Sequence, residues 1–366
     1  MQTFWDTLPR PILGLSPMDG VTDQPFRFIQ KKYGNPSLIY TEFTSAEGVC
    51  HGATRLLEDF MFDETQRPII AQIYGTTPSF FRQTATILCE LGFDGIDINM
   101  GCPAKNVRHS GAGAALIKSP ELAVEIIRET KAGVADYANG KRAKDCPDIV
   151  PEISTEVAKR HLALPKEYQE IRDIPVSIKT RIGYSHKVTE WWIQTLLSEQ
   201  PVAIAVHGRI LTQHHAGPVD WDEIAKAAQL CKNAGVVCLG NGDVHSVAEA
   251  QQKVAEYGVD GVLIGRSSMG NPFVFAPDNG STEVFDENTG QINKVALAKR
   301  FAIAVEHAQL FEDTYSHKEQ YNFLPMRKHL GWYVTHIPQA AEIRQEMFKT
   351  NSAQEVKALF ERYELL

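Results

Sequence analysis

Short apolar, β-branched runs recur along the first three-quarters of the chain, each bounded by Gly, Pro or Asn. They are Ile12 to Leu15, Leu38 to Thr41, Ile69 to Ile73, Gly95 to Ile98, Val176 to Lys179, Ala203 to Val206, Val236 to Leu239 and Gly261 to Ile264. Most are separated by amphipathic stretches of helix length, including Pro78 to Leu91, Pro120 to Lys131, Val188 to Ser198, Trp221 to Asn233 and Ser246 to Tyr257. Strands that alternate with helices pair in parallel through right-handed crossovers, and eight such units can close into a (β/α)8 TIM barrel.

The polar residues that follow these runs favour closure over an open sheet. Pro17-Met18-Asp19, Asn99-Met100-Gly101-Cys102, Arg181, His207-Gly208-Arg209, Asn241-Gly242-Asp243 and Gly265-Arg266 come at or just beyond six of the eight runs. A barrel gathers all six strand ends on one face, whereas a doubly wound sheet concentrates chemistry at one switch point. One interval breaks the rhythm: about forty residues between Lys131 and Val176, including the charged run Gly140 to Asp148. It joins a helix to a strand, so residues 136–173 are expected as a peripheral insertion at the face opposite the chemistry.

Beyond the barrel the pattern changes. Residues 291–366 carry ten Lys/Arg and nine Asp/Glu, leaving 27 and 36 in residues 1–290, so an acidic body precedes a near-neutral tail. Helical periodicity returns at Val295 to Phe311 and Ala353 to Tyr363, after a polar connector at Pro277 to Gly290. The expected organisation is a barrel domain over residues 1–280 and a small C-terminal helical domain over residues 291–366. With 366 residues, 43% hydrophobic and 22% charged, the composition excludes fibrous and mostly disordered classes. No apolar run approaches the roughly 18 residues of a membrane span, and Met1 to Pro11 does not read as a signal peptide, so a cytoplasmic protein without a membrane partner is expected. Six scattered cysteines, without Cys-x-x-Cys or zinc spacing, predict free thiols and no metal site. A net charge of −8 argues against an overall basic coat but leaves room for a local basic groove.

Several residues could carry chemistry. Asn241-Gly242-Asp243 and Gly265-Arg266, at the ends of the last two strands, suit a phosphate: glycine lets backbone N–H groups approach an anion, and Arg266 adds charge. The ordinary alternative is two βα turns that use Gly for its conformational freedom. No P-loop or strand-linked Gly-x-Gly-x-x-Gly is present. Lys179 is a Schiff-base nucleophile, a cation facing an electron-rich cofactor edge, or a lysine reaching solvent. Gln72, polar within an apolar strand, needs a hydrogen-bonding partner, which a flavin edge would provide. Cys102 opens a glycine-rich loop, Gly101 to Gly113, with Lys105, Arg108 and His109. It reads as an exposed thiol able to serve as acid or nucleophile under cationic influence, or as a packing residue.

Ser16-Pro-Met-Asp-Gly-Val-Thr-Asp23 with Pro25-Phe26-Arg27, Asp97-Ile-Asn-Met-Gly-Cys-Pro103, Gly111-Ala-Gly-Ala-Ala-Leu116, Lys179-Thr-Arg181, His207-Gly-Arg209, Asn241-Gly-Asp243 and Gly265-Arg266 together resemble the tRNA-dihydrouridine synthases, bacterial type. The match in order and spacing runs to about Phe275, and the helical tail follows as in that family. The resemblance implies FMN bound by Pro17, Met18, Asp19, Gln72, Lys179, His207, Asn241, Gly242, Asp243, Gly265 and Arg266. It implies Cys102 as proton donor, and Asn99, Lys105, Arg181 and Arg209 beside the uridine. It further implies NADPH as reductant, tRNA as partner through the tail, and reduction of the uridine C5=C6 bond; a monomer is expected. Asn106 and Leu211 stand where the family often has Lys and Arg, which removes positive charge from the substrate side. The alternatives are a flavin-dependent reductase of a free small molecule, like dihydroorotate dehydrogenase or enoate reductases, and a tRNA-binding protein whose chemistry has lapsed.

Overall fold

The apolar runs become strands because nearly every residue in them is buried on both faces, as parallel strands covered by helices must be. In the computed structural model, which describes residues 3–214, 216–276, 285–286, 291–292, 294–318, 320–335 and 337–366, the order begins with a short helix α1 (Phe4–Thr7). There follow β1 (Ile12–Leu15), α2 (Gln24–Gly34), β2 (Leu38–Ser45), α3 (Ala46–Cys50), β3 (Ile69–Tyr74), α4 (Pro78–Glu90), β4 (Gly95–Met100), α5 (Lys105–His109) and α6 (Pro120–Ala138). Then come α7 (Pro151–Ala163), α8 (Lys166–Gln169), β5 (Val176–Gly183), α9 (Thr189–Leu197), β6 (Ala203–Ile210), α10 (Trp221–Ala234), β7 (Val237–Asn241), α11 (Val247–Tyr257) and β8 (Gly261–Ile264). Each strand pairs in parallel with the next, and β8 returns to β1 in register from Ile12 opposite Gly261 to Leu15 opposite Ile264. The result is a closed eight-stranded TIM barrel.

Six strands run further than their apolar stretches, β3 to Tyr74 and β7 to Asn241 among them. β2, β4, β5 and β6 continue to Ser45, Met100, Gly183 and Ile210 because backbone pairing persists while the side chains turn polar: Asn99 stays opposite Lys179, and Arg181 opposite His207. Lys179 is on its strand as the run placed it, and Arg181, His207 and Arg209 are also held on strands rather than just beyond them, as the runs alone suggested. The other mouth of the barrel is filled by Trp5 of α1, packed with Ile12, Leu38, Tyr40, Ile70, Leu239 and Leu263.

The interval 136–173 begins with the last turn of α6. It then packs α7 against α4 and the 3-10 turn Thr54–Glu58, on the outside of the helix ring. Its far end is tied to the N-terminal end of β4, where Arg172 donates to Asp94 Oδ1 at 3.2 Å and to Gly92 O at 3.0 Å.

Most of the polar connector Pro277 to Gly290 lies outside the described residues, apart from β9 (Phe285–Asp286), which pairs with β10 (Gln291–Ile292). Four helices end the chain: α12 (Lys294–Tyr315), α13 (Leu324–Tyr333), α14 (Ala340–Met347) and α15 (Ala353–Arg362). Phe301, Phe311, Met326, Leu330, Met347, Val356 and Phe360 give them a core of their own, which Ile29 of α2 and Phe273 join from the barrel side. Lys32 Nζ and Tyr33 Oη both donate to Glu306, and Lys328 donates to Gly20 O, so the tail packs along α2 up to the loop after β1.

That junction buries two histidines. His307 and His329 lie 5.0 Å apart, centroid to centroid, against Phe26 and Tyr333; Nε2 of His307 and both ring nitrogens of His329 lack a hydrogen-bond partner among the described residues. Burial pushes His307 down to about 3 and His329 well below the usual range, the latter with help from His307 and Lys328. The facing carboxyl, Asp23, is 3.7 Å from His329 Nε2 and is itself raised by burial to about 6. A histidine whose folded pKa lies below its unfolded value contributes stability that is complete above about 6.5 and is lost as pH falls towards the folded pKa. Asp23 acts oppositely, gaining stability as pH falls from about 6 towards 4. Between pH near 7.5 and pH near 5, wild type is expected to lose about 2 kcal/mol more unfolding free energy in urea than His307→Leu, since other groups cancel in the difference. Equal losses would show that His307 is not held neutral.

Candidate functional site

Closure brings the C-terminal ends of all eight strands around one cavity of about 1130 Å³. Pro17, Met18 and Asp19 follow β1, Phe43 comes from β2, Gln72 from β3 and Asn99 from β4, with Cys102 just beyond it. Lys179 and Arg181 come from β5, His207 and Arg209 from β6, Asn241, Gly242 and Asp243 from β7 and its turn, and Gly265 and Arg266 follow β8. Every sequence-predicted site residue lines this cavity except Lys105, whose side chain lies outside the described residues, as does that of Asn106. Leu211 is fully buried in the barrel wall, so a charge there would have had to leave the core.

A directional hydrogen-bond chain crosses three strands beneath the cavity. Ser177 Oγ donates to Asp97 Oδ1 at 2.6 Å, Gln72 Nε2 donates to Asp97 Oδ2 at 2.7 Å, and Asn99 Nδ2 donates to Gln72 Oε1 at 3.0 Å. Asn99 Oδ1 then accepts from the backbone N–H groups of Gly101 at 3.0 Å and Cys102 at 2.9 Å. Gln72 thus has protein partners at both amide ends. Sequence reasoning gave Asp97 and Ser177 no task; the signal was a carboxylate and a hydroxyl in otherwise apolar strands, which must find partners there.

Cys102 is not the exposed thiol the loop composition suggested. It is 9% exposed, packed with Val107, Ala112, Phe43 and Tyr74, and its Sγ accepts from Ala104 N at 3.4 Å. Burial raises its pKa and outweighs the Ala104 N–H and the charges of Arg181 and Lys179, so the group is a protonated thiol at neutral pH. The Gly111-Ala-Gly113 stretch supports it from behind: Gly113 has φ +61°, and a Cβ there would stand 3.0 Å from Cys102 O. Arg181 fixes the other side, with Nε donating to Gly101 O at 2.7 Å. Lys179 is pushed down to about 8 by burial, with Arg181 adding to the shift and Asp97 opposing it.

Beside β7 and β8 the site changes character. Gly242 has φ +131°, and a Cβ there would lie 2.8 Å from Val219, so only glycine permits this turn. Asp243 receives Arg266 and the buried Arg209, which bonds to it through Nη1 at 3.2 Å and through Nη2; these cations hold its carboxyl below the usual range. Arg209 also donates to Gly217 O from Nε at 3.0 Å and from Nη2 at 2.7 Å, tying the loop after β6 to the turn after β7. Arg266 is about half exposed, a cation open to the cavity. Asn241 Nδ2 closes the strand ends by donating to Leu263 O at 2.8 Å.

All six cysteines are free. Among the described residues, no group of three or more His, Cys, Asp or Glu is arranged to hold a metal, and no helix is long and apolar enough to cross a membrane.

A buried thiol, a buried lysine and an arginine-flanked glycine turn meet around one barrel mouth, and the molecule is a TIM-barrel protein with its polar cavity at the C-terminal ends of the strands. The family model described as "Dihydrouridine synthase (Dus)" matches residues 14–138 and 160–365, and the chain belongs to that family. The gap in the match falls within the peripheral interval 136–173. A probable tRNA-dihydrouridine synthase 2 of Bacillus subtilis (strain 168) is 30% identical over 372 aligned positions, covering 99% of this chain and 97% of the relative. A probable tRNA-dihydrouridine synthase of Staphylococcus aureus (strain COL) is 30% identical, with 99% and 96% covered. Among solved structures, DHODH of Eimeria tenella in complex with ferulenol aligns at TM-score 0.48 and 11% identity, over 73% of this chain and 79% of that one.

The burial of Cys102 generates a direct expectation. In the purified protein, alkylation of Cys102 by iodoacetamide, followed on its own peptide by mass spectrometry, should rise with pH to a midpoint above the ordinary thiol value of about 8.5. A midpoint at or below that value would mean that the cations, not the loss of water, control the thiol.

Proposed function

We propose that this protein is an FMN-dependent tRNA-dihydrouridine synthase that reduces the C5=C6 bond of uridines in tRNA, with NADPH as electron source and Cys102 as the proton donor. The observation that carries the reading is the pairing, in one cavity, of a thiol kept protonated by burial with a lysine and arginines suited to an anionic ligand. Membership of the dihydrouridine synthase family supports the substrate and the reaction class.

The residues fit flavin mononucleotide. Gln72 and Asn99 each keep one amide N–H beyond the hydrogen-bond chain, Lys179 offers a cation to a ring edge, and Arg266 with the Gly242 and Gly265 turns offers charge and space to one phosphate. A flavin held by these residues would supply the hydride that uracil C6 needs. Cys102 gives its proton to C5, which balances the two-electron reduction, and the thiolate left behind recovers a proton from solvent entering the cavity. A thiol with a raised pKa holds that proton through the neutral range, so Cys102 stays able to act as an acid until pH rises through its own titration. Lys179 and Arg181 lie close enough to favour the transient thiolate electrostatically. The tail helices support a tRNA-gripping role, since Lys328 contacts Gly20 beside Asp19 at the rim of the cavity.

Two outcomes test this. Heat-released flavin from the purified protein should run as FMN on chromatography; recovery of the adenine dinucleotide alone, or no flavin after reconstitution, excludes the cofactor assignment. Cys102→Ala should still bind flavin and still be reduced by NADPH, while dihydrouridine formation in tRNA falls by roughly 10²- to 10⁴-fold, as for loss of a positioned acid. Undiminished tRNA turnover would remove Cys102 from the chemistry.

A further inference from the structure

We propose that Asp97, which does not reach the cavity, is a positioning residue for Cys102, acting through the amides of Gln72 and Asn99. Asp97 is fully buried on β4, and its two oxygens accept from Ser177 and Gln72. A carboxylate can only accept, so the Gln72 amide must present Nε2 to it and turn Oε1 the other way. Oε1 then requires a donor, which sets Asn99 with Nδ2 towards Gln72 and Oδ1 towards the loop. Oδ1 takes the N–H groups of both Gly101 and Cys102, filling its two lone-pair positions. Every donor in the chain points towards Asp97, so one buried pair of acceptor oxygens fixes two amide orientations and, through them, the backbone carrying the thiol. Aligned hydrogen bonds of this kind also polarise one another in a water-poor interior.

Asp97 also stands near Lys179 and opposes the loss of its charge, so one carboxylate serves both the thiol loop and the cavity's buried cation. That Cys102 is the acid rests on the proposed function; that Asp97 holds its loop does not.

The direction of the chain makes the test specific. In Asp97→Asn the new amide can still turn its oxygen to Gln72 and its nitrogen to Ser177, whose hydroxyl can accept, so the loop should stay in place. Asn99→Asp sets a carboxylate oxygen against Gln72 Oε1; if Gln72 turns over, its Oε1 meets Asp97 instead, so one bond must open. The double variant Asp97→Asn with Asn99→Asp lets Gln72 turn over, so that both of its bonds reverse while Ser177 and the Gly101 and Cys102 N–H groups go on donating, and every bond is remade. The readout is the alkylation rate of Cys102 by iodoacetamide in the apoprotein at fixed pH, followed by peptide mass spectrometry. Asn99→Asp is expected to accelerate it about tenfold by loosening a thiol that is now shielded, Asp97→Asn to leave it within about twofold, and the double variant to return to within about twofold of wild type. A double variant as reactive as Asn99→Asp would overturn the proposal, since a purely structural role for Asp97 predicts no rescue.

If Asn99→Asp does not fold, Gln72→Met cuts the chain without adding charge. Asp97→Ala should then accelerate alkylation in the wild-type background and add nothing in the Gln72→Met background; equal acceleration in both would overturn the proposal. Restoration of slow alkylation in the double variant, together with a wild-type holoenzyme that makes no dihydrouridine in tRNA, would sustain the positioning role and reject the functional reading instead.

Discussion

Parallel closure of the barrel is the constraint on which the rest of this molecule depends. Because β8 pairs with β1 in the same direction as every other neighbouring pair, all eight C-terminal strand ends point to one mouth, and residues from Pro17 to Arg266 share a cavity. The backbone pairing that closes the barrel also carries β4, β5 and β6 beyond their apolar stretches, so Asn99, Lys179, Arg181, His207 and Arg209 stand on rigid strands. A site supported in this way holds its groups more firmly than loops would.

Removal of water is the second governing effect. Burial raises Asp97 to about 6, lowers Lys179 to about 8 and raises the Cys102 thiol, each towards its neutral form. Asp97 remains useful as an anion because Ser177 and Gln72 donate to it and Lys179 lies nearby. The same effect acts at the tail, where neutral His307 and His329 pack on Phe26 and Tyr333 and the facing carboxyl, Asp23, is itself raised by burial to about 6. Within one chain, dehydration thus keeps a thiol protonated in the cavity and two histidines neutral at the junction of barrel and tail.

That junction sets the scale of the cavity's surroundings. The tail shares its core with Ile29 and Phe273, and ion pairs join Lys32 to Glu306 and Lys318 to Glu58, so the helices beyond Lys294 lie along α2. Their near-neutral composition says little about what they meet; their placement beside the loop after β1 is what brings Lys328 to the rim.

The sequence by itself determined the eight strands of the barrel and five of the helices between them, since burial on both strand faces and on one helix face leaves a direct record in the spacing of Val, Ile and Leu. Its motifs also marked the family and most of the residues around the cavity, because chemistry at strand ends requires particular side chains at fixed offsets from apolar runs. Helices α13 and α14 were not foreseen; they are ten and eight residues long, and each adds only a few side chains to a core made jointly with α2, α12 and α15. Only the tertiary structure decided that Cys102 is shielded rather than exposed, that Arg209 clamps Asp243 and Gly217, and that Asp97 reaches Cys102 through Gln72 and Asn99. Those facts depend on which polar groups meet across neighbouring strands after closure and on how much water they lose there, and residues 25 or 80 positions apart carry no local sign of either.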